Sequence, residues 1–267
     1  MIFDVINNRN PGFISNTLDK IKQPGTYSFL PGDTKFEFRE NLKVKPKDWY
    51  YRTNKVEYTL NSDRFRTKEF KDIDWKNSIV LVGCSMTFGL GVTDEDTVAA
   101  HLQKNTGKNV VNLGQVGISN SLIAYNSYYL KENYPTPLAV VNIWTSMMRW
   151  WHISHKNLVS EYYSYDWSTD DVSSVFTKDE MLTQITNNIL YMKMSNALWK
   201  DHPNHLQLSL HDYHMSDGYI SIAAKVFPEV IQLKQSWVNC IDARDCCHWG
   251  RETTKKVAKL IASNLKL

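Results

Sequence analysis

The chain has 267 residues, 42% of them hydrophobic and 12% aromatic, enough for one sizeable core. Its 31 basic and 28 acidic residues leave a net charge of +3 without a basic stripe, so nucleic-acid binding has no electrostatic support. No apolar run approaches the roughly 20 residues of a membrane span. The opening "MIFDVINNRNPGF" has no basic-then-apolar leader. Among the four cysteines (Cys84, Cys240, Cys246 and Cys247), Cys246 and Cys247 are adjacent, an awkward spacing for a structural disulfide. These features predict reduced thiols and a cytoplasmic protein. Secretion without a cleaved signal, or incorporation into a virus particle, would escape that expectation.

Residues 1–70 are rich in Asn, Lys, Arg, Pro and aromatics, and Pro11, Pro24, Pro31 and Pro46 break any long element. They read as an irregular extension packed on a core of residues 71–267. Within them "KVEYTLNSDRFR" (55–66) alternates and carries a turn signal at Asn61-Ser62-Asp63, which predicts a short strand or a hairpin. From residue 78 the pattern becomes strand–helix–strand. "SIVLVG" (78–83) is a β-branched apolar run of the type buried on both faces of a parallel sheet. "TVAAHLQKNTG" (97–107) predicts a helix ended by Gly107. Further strands are predicted at 109–114, 138–146, 205–210 and 236–242. Further helices are predicted at 119–134, 179–202 and 250–267. The last of these carries Val257, Leu260, Ile261 and Leu265 on one face. This alternation implies an α/β fold with a mostly parallel five-stranded sheet and helices on both faces. In such sheets functional groups gather beyond the carboxyl ends of the strands.

Three stretches at such positions carry chemistry. In Gly83-Cys84-Ser85-Met86-Thr87-Phe88-Gly89, a hydroxyl follows the first core strand between small residues. A tight turn there exposes Oγ and frees the Ser85 N–H for an oxyanion. Taken alone, the stretch reads first as a common strand-to-helix turn with Ser85 as a cap. In Asp245-Cys246-Cys247-His248-Trp249-Gly250, an acid three residues before a histidine can orient the imidazole and stabilise its protonated form. A solvated Asp and a loop His are the plainer alternative. Between them, "NLGQVGISN" (112–120) offers glycine backbone at a strand end, where N–H groups approach a ligand oxygen closely. A flexible turn before a helix accounts for it as well.

Together, in this order, the three stretches resemble the SGNH/GDSL hydrolase family of serine esterases and lipases. The resemblance covers roughly residues 55–267. It implies a flavodoxin-like three-layer α/β/α sandwich with no cofactor and no metal. It also implies a catalytic Ser85, with His248 as base and Asp245 as its orienting acid. The backbone N–H groups of Ser85 and Gly117 would hold the oxyanion. Where the family usually has Gly-Asp-Ser, this chain has Gly83-Cys84-Ser85. Where it usually has Gly-x-Asn-Asp, "VVNIWTSMM" places Trp144 at the glycine and Ser146 at the asparagine, making Ser146 a candidate third oxyanion donor. Asn142 lies inside the strand and is expected to be structural.

"WTSMMRWWHISH" (144–155) places Trp144, Arg149, Trp150 and Trp151 near the expected substrate position. Aromatic faces beside polar donors suit a sugar ring or an aromatic acyl group. Packing of a loop or a subunit interface is the equal alternative. Trp144, Arg149 and Trp249 are therefore candidate substrate contacts, and the implied partner is a small ester or an acylated carbohydrate. The pairs His152/His155, His202/His205 and His211/His214 have metal-like spacing, but no acidic or cysteine set completes a site. The competing reading is a glycan-binding or structural protein that keeps the fold, as in a virus particle.

Overall fold

A computed structural model of the chain describes residues 23–146, 178–210, 229–238 and 241–267. Its centre is a five-stranded sheet of β3 (Ser78–Gly83), β4 (Asn109–Gly114), β5 (Ala139–Trp144), β6 (His205–Ser209) and β7 (Ile231–Gln232). The spatial order is β4-β3-β5-β6-β7, every pairing parallel. Numbered from the first sheet strand this is the 2-1-3-4-5 order of flavodoxin-like sheets, whose reversal point lies between the first and third strands. Here that point is the gap between β3 and β5.

Side-chain alternation along the strands builds the layers. Ile79 and Leu81 of β3, with Val141 and Ile143 of β5, face a core completed by Val98, Leu102, Val257 and Ile261. The last four belong to α3 (Val98–Thr106) and α7 (Arg251–Asn264). Val80 and Val82, with Val140 and Trp144, face Leu122, Ile123 and Leu130 of α4 (Asn120–Asn133). Ile185 and Met192 of α5 (Lys178–Leu198) complete that side. The result is the α/β/α sandwich expected from the alternation. Helix ends follow local chemistry. Thr97 Oγ1 accepts the Ala100 N–H at 3.1 Å to cap α3, and Gly107, at φ +66°, ends it in the left-handed conformation.

One predicted element folds differently, and another finds a partner its own segment does not supply. The segment predicted as a strand at 236–242 instead carries the short helix α6 (Gln235–Val238), closed by the Trp237 N–H on the Lys234 carbonyl at 2.8 Å. The open edge of β6 is taken by Ile231–Gln232 upstream, and the Leu233 N–H continues that pairing to the Ser209 carbonyl. The strand predicted within 55–66 exists as β2 (Tyr58–Leu60), but its partner is β1 (Gly25–Tyr27), antiparallel, rather than the residues after the turn. Asn61 makes that turn with its own side chain, accepting the N–H groups of Asp63 and Phe65 at 3.1 and 2.8 Å.

Between β1 and β2 lies α1 (Lys35–Val44), started by a capping box in which Thr34 and Glu37 exchange hydrogen bonds. Leu30, Tyr51, Val56, Tyr58 and Leu60 from this region form a core cluster with Phe88 and Leu90. Phe88 and Leu90 follow Ser85 by three and five positions, so residues 30–60 pack against the turn that carries the serine.

Candidate active site

Ser85 opens α2 (Ser85–Phe88), a single helical turn at the carboxyl end of β3. The chain reaches this turn because glycines let neighbours close in. A Cβ on Gly83 would stand 2.1 Å from Thr87 Oγ1 and 3.0 Å from the Ile143 carbonyl oxygen. One on Gly114 would stand 2.3 Å from the Phe88 nitrogen. The turn ends at Gly89, φ +81°. Cys84, in the place the resemblance assigns to an aspartate, is fully buried among apolar side chains.

The loop before α7 brings the other two groups. Ser85 Oγ lies 2.9 Å from His248 Nε2, and His248 Nδ1 lies 2.5 Å from Asp245 Oδ2. The other carboxylate oxygen of Asp245 accepts the backbone N–H groups of Cys247 (2.9 Å) and His248 (3.1 Å). The carboxylate is fully buried and the imidazole 15% exposed. A carboxylate can only accept, so Nδ1 carries the proton and Nε2 presents its lone pair to the serine hydroxyl. The acid reaches back over three residues through a tight turn. Its Cys246 N–H donates to the Ala243 carbonyl at 3.0 Å, and Cys246 itself adopts φ +59°. The Trp249 N–H, 3.4 Å from Met86 Sδ, ties this loop to the serine turn.

β4 and β5 flank β3 in parallel, so the loops after them emerge at the same rim as Ser85. Gly117 lies in the first, half-buried at φ +72°, a conformation that favours glycine. Ser146 lies half-buried in the second. Asn120, at the start of α4, clasps the two loops. Its Oδ1 accepts the Thr145 N–H at 2.8 Å, and its Nδ2 donates to the Thr145 carbonyl at 3.1 Å and to Asn188 Oδ1 at 2.8 Å.

Two of the expected substrate contacts are corrected. Trp144 is fully buried beneath α4 and α5, its indole N–H donating to Gln207 Oε1 at 2.9 Å. It shares the strand face of Val140, which points into the helix layer rather than out of the rim. Trp249 is 1% exposed and packs against Val257 and Ile261 on the opposite face. Arg149, with Trp150 and Trp151, lies outside the described residues. Asn142 is structural as expected, donating to Ser195 Oγ at 2.6 Å in the core. His202 is fully engaged, Nε2 with the Pro137 carbonyl at 2.9 Å and Nδ1 with the Asn204 N–H at 3.1 Å. Burial pushes the His205 imidazole down to about 4, and His202 adds to the shift. The pairs at 152/155 and 211/214 lie outside the described residues. Among those residues no helix is long and apolar enough to cross a membrane.

Sequence reasoning missed Asn120, and missed that the glycine at 114 gives room to the serine turn. Asn120 stood within the quoted "NLGQVGISN", but its partner Thr145 is 25 residues away.

No family model and no curated protein matches the sequence. Among solved structures, the chain is similar to AlinE4, an SGNH-hydrolase family esterase, at 10% identity and a TM-score of 0.37, covering 61% of this chain and 77% of that one. It is similar to a protein of the G-D-S-L family from Desulfitobacterium hafniense at 14% identity and a TM-score of 0.41, covering 70% of this chain and 99% of that one. It is similar also to a family two carbohydrate esterase from Clostridium thermocellum, solved in complex with cellohexaose. There the identity is 13% and the TM-score 0.37, covering 78% of this chain and 66% of that one.

Proposed function

We propose that the chain is a serine ester hydrolase working through an acyl-enzyme. The observation that carries this reading is the continuous hydrogen-bonded line from Ser85 Oγ through His248 to the buried Asp245 carboxylate. In the first half-reaction Ser85 Oγ bonds to the acyl carbon while His248 Nε2 takes its proton. His248 then returns that proton to the departing alcohol. In the second, water repeats the attack, releases the acid and restores Ser85. Asp245 stays ionised throughout and stabilises the imidazolium formed at each step. The N–H groups of Ser85 and Gly117, with the Ser146 hydroxyl, are the donors assigned to the oxyanion. The first N–H groups of a helical turn lack intrahelical partners, which favours Ser85 in that role.

A short acyl group such as acetyl, carried on a carbohydrate or a similar small alcohol, is the proposed substrate. With Trp144 and Trp249 in the core, the aromatic case for a sugar rests on Trp150 and Trp151, with Arg149 as the polar group beside them. The test is turnover of an aryl acetate together with labelling by a fluorophosphonate. Wild type gains the adduct mass on Ser85 and turns over the acetate, while Ser85→Ala gains no mass and His248→Ala falls to background. An unlabelled, inactive wild type that retains carbohydrate affinity would instead establish a binding protein.

A further inference from the structure

The acid Asp245 stands on a loop, not on a strand, yet its neighbour Arg244 is held by hydrogen bonds from both its side chain and its main chain. The Arg244 guanidinium is buried, with Nε 3.0 Å and Nη2 2.5 Å from the Asp33 carboxylate. It also donates to the Ser28 carbonyl at 2.6 Å and the Val56 carbonyl at 3.3 Å. Every one of these acceptors belongs to the region before the sheet. Phe29 lies against the cation, 4.5 Å from ring centre to guanidinium carbon. The peptide of Arg244 is held as well. Its N–H donates to the Gly91 carbonyl at 2.9 Å, and its carbonyl accepts from Asn41 Nδ2 at 3.0 Å.

These bonds close into a ring. Asp33 grips the Arg244 side chain, and the Arg244 N–H binds the Gly91 carbonyl. The Gly91 N–H donates to the Tyr58 hydroxyl at 2.8 Å, and that hydroxyl donates back to Asp33. Gly91 follows Ser85 by six positions and Arg244 precedes Asp245 by one. The ring therefore joins the segment just after the serine turn to the acid loop. A Cβ on Gly91 would already lie 3.1 Å from Asp245 Oδ1.

We infer that the Asp33–Tyr58–Gly91–Arg244 ring is a positioning device, built from the region ahead of the sheet, that sets Asp245 against His248. Asp33, Tyr58 and Arg244 are positioning residues that act through Asp245 and need no contact with substrate. A buried ion pair is a weak source of net stability, because desolvation offsets most of its attraction. In some proteins such a pair instead fixes which geometry the chain adopts, and here the geometry it borders is the acid loop. The inference rests on the proposed Ser85–His248–Asp245 site, and its rate measurement rests on the esterase reading.

The experiment uses the full chain as Asp33→Asn and Tyr58→Phe, with Glu40→Ala on exposed α1 as a surface control. Each is read for kcat and KM on an aryl acetate, and for the downfield proton resonance of His248 Nδ1, assigned by its absence in His248→Ala. The temperature is held well below each variant's unfolding midpoint. Displacing a catalytic group by the order of 1 Å costs on the order of a hundredfold in rate. Asp33→Asn is expected to lose about tenfold to a hundredfold in kcat with KM within about twofold, and to shift or lose the resonance. Tyr58→Phe keeps the Asp33–Arg244 pair and is expected to show the same signs more weakly, so it carries the test should Asp33→Asn not fold. Folded variants with wild-type kcat and an unmoved resonance overturn the inference. An inactive wild type defeats the esterase reading alone. The resonance needs no substrate, so its loss in the variants would still support the positioning role and its persistence would still overturn it.

Discussion

Gly114→Ala tests whether the serine turn must sit where it does. Gly114 ends β4 and touches the serine turn backbone to backbone. An added methyl would lie 2.3 Å from the Phe88 nitrogen and 2.7 Å from the Thr87 carbonyl carbon, where ordinary contact begins at 3.4 Å. The turn would have to retreat by about 1.1 Å, and it cannot fold a side chain away because the clash is with main chain. Ser85 rides on that turn, with only one 2.9 Å hydrogen bond to His248 to lose. A displacement of that size costs about a hundredfold in kcat. Overpacking adds about 1–3 kcal/mol of destabilisation. For a chain of this size that is a fall in Tm of about 2–12 °C. The assay is steady-state aryl acetate hydrolysis with a thermal melt on the same preparation. A Gly114→Ala protein with wild-type kcat would refute the reasoning, because either the turn absorbs the methyl in place or Ser85 is not the nucleophile.

Trp144→Phe should leave KM for a short aryl ester unchanged while lowering stability by about 1–3 kcal/mol, since it strands the buried Gln207 carbonyl that the indole now satisfies. A large rise in KM without loss of stability would return Trp144 to the substrate. Acid stability should depend on His205. Its folded-state value of about 4 lies below the ordinary 6.5, so the fold holds it neutral while the unfolded chain takes up a proton. Its contribution is full above about 6.5 and is lost as pH falls towards about 4, amounting to about 3 kcal/mol. Burial lowers His101 in the same direction. Denaturant midpoints measured from pH 7 to pH 4 should fall more steeply for wild type than for His205→Gln; parallel slopes would remove His205 from the account.

What could be read from the sequence was what local chemistry determines. The apolar run of β3, the Thr97 and Gly107 limits of α3 and the apolar face of α7 each carry their signal within a few residues. The Ser85 turn and the Asp245–His248 spacing were legible for the same reason, since each is built on one short segment. Their meeting across 163 positions was implied only by the resemblance of the three ordered stretches to the SGNH/GDSL family. The errors came where the deciding partner is distant or where a pattern was followed past its end. β7 holds its edge with two residues, too few to leave a periodic trace. β2 pairs with β1 some thirty residues upstream, a choice its own turn does not announce. Trp144 was misread although the parity of β5 places it with Val140 on the helix side. Asp33 and Tyr58 carry no local mark, because what they hold lies far along the chain.

The bond between Asp33 and Arg244 spans 211 positions. Closing a loop of that length costs entropy before the contact repays it. On a translating ribosome Ser85 therefore emerges long before Asp245 and His248, the groups it meets in the fold. Under the proposed esterase reading, the nascent polypeptide has neither base nor acid for Ser85 until that C-terminal stretch has been made.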